Sequence, residues 1–170
     1  MNPSPVDPIT LTCRGRQADF EPGTPVLEAL RALAPEVAPD VLCAQQGGVC
    51  LELNEPLTEG GTLCPLTYTD EEGRRVYERS LRFLLLLSMK RLFPAKRVRI
   101  LNSVGYGVYL RVLGDDMDHA MVRALDAEMR ALVRQDLPFE REVWTREQAV
   151  EYFRRNNYPD KAEILPYRPG

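Results

Sequence analysis

The sequence predicts an α+β protein built in two parts, and three observations carry that prediction. Short alternating strand patterns surround a single helix pattern in roughly the first 70 residues. Longer helix patterns dominate the remainder. The charge also changes sign along the chain. Residues 1–73 hold three arginines, no lysine and twelve acids, a net −9. Residues 74–99 hold nine basic residues and one acid, Glu78, a net +8, and residues 100–170 hold ten basic and twelve acidic, a net −2.

The first part covers residues 8–70. "ITLTC" (9–13) alternates Ile9, Leu11 and Cys13 on one face, as a half-buried strand does. "RGRQ" supplies a turn and "ADFEPG" a second strand. In "TPVLEALRAL", Thr24 is placed to cap a helix and Pro25 suits its first position. Val26, Leu27, Leu30 and Leu33 share one helical face, and Pro35 and Pro39 end the helix. "VLCAQQGGVCLEL" reads as two strands around Gly47-Gly48. "TEGGTLCPLTYTD" adds a turn and a last strand. A hairpin, one helix and further strands in so short a span form the pattern of a β-grasp domain, one sheet covered by one helix. "TDEEGRR" (69–75), polar and containing Gly73, is expected as a linker.

The second part, residues 76–167, is expected as an α+β domain with helices on one side of an antiparallel sheet. "YERSLRFLLLLSMKRLF" is helical. "KRVRIL" and "YGVYLRVL" are strands joined around "NSVGYG". "DDMDHAMVRALDAEMRALVRQD" is a strong helix capped by Asp118, with Met121, Val122, Leu125, Met129, Leu132 and Val133 on one face and Asp126 paired with Arg130. "PFEREVW" alternates like a short strand, with Trp144 read as core. "TREQAVEYFRRNN" opens with Thr145 and Gln148 at capping-box spacing. Asn156 or Asn157 closes that helix, and Pro159 prevents its continuation.

Composition sets limits on the class. The chain has 170 residues, 44% hydrophobic and 28% charged, the mix of an ordinary globular protein. A membrane span needs roughly 20 apolar residues in succession; the purely apolar run here is Phe83 to Leu87. The start, "MNPSPVDP", has neither the basic opening nor the apolar stretch of a signal peptide, so a cytoplasmic location is expected. The Pro-rich first eight residues are expected to fray. Cys13, Cys43, Cys50 and Cys64 include no CxxC pair, and the single histidine, His119, is distant in sequence. That spacing argues against a metal site and for buried, reduced thiols.

The leucine-rich helix is apolar nearly all round, the mark of a central core helix. At about 100° per residue, Arg79, Arg82 and Lys90 fall in one broad stripe with Phe83 and Leu86. Arginine offers a planar fork for phosphate or carboxylate, so this stripe is a candidate anion site. The alternative is a set of solvated or ion-paired arginines, and the basic segment as a whole could serve only to neutralise its acidic flanks. "NSVGYGVY" (102–109) is the second candidate. Tyr106 and Tyr109 could stack on a base or ribose, and Asn102 and Ser103 could hydrogen-bond a ligand. Gly105 and Gly107 equally suit a plain hairpin. Arg123, Arg130 and Arg134 read as a solvated face. Arg154 and Arg155, near a helix C-terminus, favour the helix dipole.

The order of these pieces resembles a known arrangement. A β-grasp part, then "RSLRFLLLLSMKRLFP", a hairpin with "GYGVYL", and "MVRALDAEMRALVRQDLPFEREVWTREQAVEYF" are similar to the N-terminal region of threonyl-tRNA synthetase, its TGS and editing domains, over residues 8 to 167. The join "GRRVYERSLRFLL" resembles a bacterial family of uridine (nucleoside) kinase-like proteins carrying the same two modules ahead of a P-loop kinase domain. The synthetase's helix carries HxxxH, two histidines on one face. The matching positions here are Arg79 and Phe83, neither a general base at neutral pH nor a usual metal ligand. No GxxxxGK[ST] phosphate loop is present.

The resemblance therefore implies a non-catalytic nucleotide- or RNA-binding region of a kinase-like protein. Its second domain would be truncated relative to the family, and its kinase domain would lie elsewhere as a downstream partner. No cofactor is expected in this chain, since ATP and Mg would belong to that kinase domain. No catalytic residue, metal, membrane or DNA partner is expected either. The enzymatic alternative is a tRNA-editing aminoacyl-tRNA deacylase, and a third reading is a module that only docks domains.

Overall fold

The computed structural model of the chain describes residues 7–104, 107–114, 116–156 and 158–168, with the side chains of residues 103 and 104 left out. It falls into two compact units, Met1–Ala131 and Leu132–Gly170.

Unit one begins with a five-stranded mixed sheet. The strands are β1 (Ile9–Cys13), β2 (Arg16–Phe20), β3 (Cys43–Gln46), β4 (Val49–Leu51) and β5 (Gly61–Leu66), in the order β2-β1-β5-β3-β4. β1 runs parallel to β5, and the other pairings are antiparallel. The tight turn from β1 to β2 holds Arg14 at φ +50° and Gly15 at φ +78°, and the β3–β4 turn holds Gly47 and Gly48 in the same left-handed region. Helix α1 (Val26–Leu33) lies against the sheet. Leu11, Cys13, Val26, Ala29, Leu30, Ala44 and Leu63 form the buried core between them, all at 3% exposure or less. The period-2 and period-3.6 patterns converge on this core.

Two expectations for this part are corrected. Thr24 does not cap α1; its hydroxyl donates to the Glu21 carbonyl at 2.7 Å and Pro25 occupies the N-cap. Residues 71–75 are not a linker but the start of helix α2 (Glu71–Leu92). Glu71 and Glu72 suit the positive end of a helix, and Arg75 reaches back to both at 2.6 Å. Asp70 turns its carboxylate onto the Thr67 amide at 2.7 Å, closing the turn between β5 and α2.

Helix α2 is also not the all-round buried helix that its leucines predict. Only Gly73, Ser88 and Met89 are buried, while Phe83 is 58% exposed. The hairpin β6 (Arg97–Val104) and β7 (Gly107–Leu113) follows. Leu85, Met89 and Phe93 pack with Val98, Leu110 and Val112 of the hairpin and Leu125 of α3 (His119–Gln135) in a second, smaller cluster. Asp118 caps α3, accepting from the Met121 amide at 2.7 Å. Asp126 and Arg130 pair as expected. The apolar face of α3 is narrower than its sequence pattern, with Leu125 buried and Val122 and Val133 exposed.

Unit two carries α4 (Arg146–Arg155) and α5 (Pro159–Ile164). The capping box of α4 is complete: Thr145 Oγ1 accepts from the Gln148 amide, and the Gln148 side chain accepts from the Thr145 amide at 2.8 Å. Residues 138–144 are not a strand, and Trp144 is 44% exposed rather than core. Its ring meets Tyr152 edge-on at 4.9 Å and its indole nitrogen donates to Glu142. α4 ends at Arg155, ahead of Pro159, and Pro159 begins a separate helix, α5, because its fixed φ and missing N–H cost nothing at a first helical position. Asn156 follows α4 as its C-cap, and Asn157 lies outside the described residues.

Candidate nucleic-acid interface

Two surfaces of unit one carry the residues singled out by sequence. On α2, Arg79 and Lys90 are exposed and flank exposed Phe83 along one stripe, one side of the helix away from Leu85 and Met89. Arg82 lies at the border of that stripe, half-buried, and pairs with Glu78 one turn back at 3.3 Å. Farther along, Arg91 reaches Glu128 of α3 at 3.2 Å. A shallow, open hollow of about 630 Å³ in this unit lies elsewhere. Pro39 to Leu42, Thr67 to Thr69 and Tyr77 line it, with the Tyr68 and Tyr77 rings edge-on at 5.1 Å. Neither Arg79 nor Phe83 borders it.

The hairpin is the second surface. Outside residues 101–104 its strands alternate: Val98, Leu110 and Val112 turn toward the small core, and Arg97, Arg99, Tyr109, Arg111 and Leu113 turn outward. Register sets Arg99 directly opposite Arg111, and Arg97 opposite Leu113. Like charges facing each other across a ladder destabilise a strand pair. The register then shifts. Ile100 pairs with Leu110 but Ser103 pairs with Val108, so Leu101 and Asn102 together oppose the single residue Tyr109. That is a β-bulge, a device that re-aims a side chain, and here both Leu101 and Asn102 are exposed. Tyr109 is 63% exposed.

The structure therefore brings Asn102 and Tyr109 together at one bulge. It separates them from the α2 stripe of Arg79, Phe83 and Lys90, because α2 packs on the opposite, inner face of the hairpin. Tyr106 lies outside the described residues, as does the side chain of Ser103. Sequence reasoning passed over Arg99 and Arg111. Counting outward from the Val104–Gly107 pair puts Arg99 opposite Val112, and only the one-residue bulge brings it opposite Arg111, so this pairing is not legible from sequence symmetry.

The cysteines complete the electrostatic description. Cys13 and Cys43 are buried, Cys50 and Cys64 are exposed, and all four are free. Burial pushes the Cys43 thiol up to about 12, helped by its hydrogen bond with Cys50. Burial likewise raises Cys13. No cluster of His, Cys, Asp and Glu among the described residues is arranged to hold a metal ion. No described helix is long and apolar enough to cross a membrane.

No family model matches the chain. Among curated proteins it is similar to threonine–tRNA ligases. It is 30% identical over 156 residues to that of Desulforamulus reducens, covering 91% of this chain and 25% of the ligase. The ligase of Carboxydothermus hydrogenoformans is 29% identical over 163 residues, 89% of this chain and 26% of the relative. That of Caldanaerobacter subterraneus is 27% identical over 169 residues, 96% of this chain and 26% of the relative. The chain is thus homologous to the N-terminal region of threonyl-tRNA synthetase, and it spans about a quarter of the length of these relatives. The expected link to uridine kinase-like proteins finds no support among these matches.

Proposed function

We propose that this chain is a tRNA-handling module of the threonyl-tRNA synthetase type, which holds RNA without hydrolysing an aminoacyl ester. The observation that carries the reading is the similarity to threonine–tRNA ligases along 91% of the chain. The order β2-β1-β5-β3-β4 with α1 on one face supports a β-grasp, TGS-like first part. The homology likewise supports an editing-like second part built from α2, the hairpin and α3. The chemistry departs from editing at the positions that match HxxxH. A guanidinium is not a general base and a phenyl ring has no exchangeable proton, so neither residue can activate a water. Both are exposed; the Arg79 guanidinium suits a phosphate and the Phe83 ring suits stacking on a base.

The test uses the full chain with a threonine-accepting tRNA. Saturable binding by fluorescence anisotropy, weakened by charge reversal at Arg79 and Arg82, is the expected result. No binding up to high micromolar protein would refute RNA handling. A tRNA carrying the wrong amino acid should persist with its ester intact; enzyme-dependent turnover would replace this reading with that of a deacylase.

A further inference from the structure

We infer that the outward face of the β6–β7 hairpin is an RNA-binding site in its own right, taking a phosphate between Arg99 and Arg111 and an unpaired base on Tyr109. The inference rests on the proposed tRNA-handling role and assigns it a location that sequence comparison does not supply. Its starting point is a conflict within the fold. Arg99 and Arg111 are directly opposite in the ladder and both exposed. Their repulsion opposes the strand pairing that the Val98, Leu110 and Val112 contacts favour. A phosphate bridging the two guanidiniums converts that repulsion into two charge-assisted hydrogen-bonding forks.

The neighbours of this pair favour RNA over a lone anion. Arg97 stands two residues from Arg99 on the same outward face, extending the positive strip in the direction a sugar-phosphate backbone would follow. Tyr109 stands two residues from Arg111 on that face and is 63% exposed, a stacking surface for a base pulled out of a helix. The bulge sets exposed Asn102 opposite Tyr109, where its amide can read the edge of the stacked base. A phosphate ladder beside one aromatic ring and one amide is a site for single-stranded RNA. Duplex RNA, whose bases are already stacked, would use only the arginines.

The experiment measures the full chain's affinity for a single-stranded RNA oligomer of roughly a dozen nucleotides, for a duplex RNA and for a mononucleotide. The variants are Arg99→Gln/Arg111→Gln, Tyr109→Ala and, as a control in the other compact unit, Arg154→Gln. The arginine pair change should weaken both RNAs by about tenfold and lower the salt slope by about 0.7–0.9, the share of the one phosphate the pair holds. Tyr109→Ala should weaken the single strand by roughly tenfold and leave the duplex unchanged. Arg154→Gln should do nothing. All changed positions are exposed, and the Gln pair removes a repulsion, so thermal melting should show folded protein throughout. Wild-type RNA binding that survives both site variants would overturn this site while leaving tRNA handling standing. A wild type that binds no RNA would remove both. A mononucleotide competing as well as the oligomer would make this a nucleotide site and refute the RNA assignment.

Discussion

Gly73 lies in the first turns of α2, buried, and a Cβ built on it would sit 2.0 Å from the Thr67 carbonyl oxygen. In an open helix, Gly→Ala gains about 1 kcal/mol. Here the atom in the way is backbone, held by the Asp70 carboxylate on the Thr67 amide, so it cannot swing aside. Gly73→Ala should therefore lower stability by roughly 1–3 kcal/mol, read as a lower urea midpoint; a raised midpoint would show that α2 can lift from the end of β5 freely. The thiols make a second residue-scale case. The folded state holds the Cys43 proton more tightly than an ordinary thiol of pKa 9.0, up to about 12. Its contribution is fully present below pH 9.0 and is lost as pH climbs toward 12. An aromatic disulfide reagent at about pH 8, below the usual thiol range, should find Cys50 and Cys64 fast and Cys13 and Cys43 slow; four equal rates would contradict the burial. The sequence named these residues, but their partition into buried and exposed depended on which sheet face each strand presents.

At the scale of elements, local rules were legible wherever the signal was local. The capping box of α4 and the Asp118 cap of α3 formed as spaced, because each needs only three residues and their own amides. Thr145→Ala should cost about 1 kcal/mol and speed hydrogen exchange at the Gln148 amide, leaving α1 unaffected. Legibility failed where two local signals competed. Thr24 had cap chemistry, yet Pro25 took the N-cap and Thr24 turned to Glu21. The polar run at 69–75 looked like a linker because Gly73 suggested a break. Its glycine instead serves close approach, and its acids serve a helix start. The alternation in 138–144 lacked a partner strand, and a strand without a partner does not form. The β-bulge at Leu101–Asn102 was invisible in advance, since a one-residue offset shows only when both strands are aligned.

For the whole molecule, charge sorts along the chain, with −9 in residues 1–73 and +8 in residues 74–99. An acidic sheet region should repel RNA and confine it to α2 and the hairpin. The logarithm of the tRNA affinity should fall linearly with the logarithm of salt, by about 0.7–0.9 per phosphate neutralised, and a flat response in titrations across salt would argue against phosphate contacts. The sequence by itself determined the α+β class, most of the strands and helices, the charge division and the likeness to threonyl-tRNA synthetase, because these depend on period, composition and order. Only the tertiary structure decided that α2 leaves Phe83 exposed and packs on the hairpin's inner face, and that Arg99 meets Arg111 outside it. Burial and register are properties of pairs of segments, and no single segment encodes its partner's face.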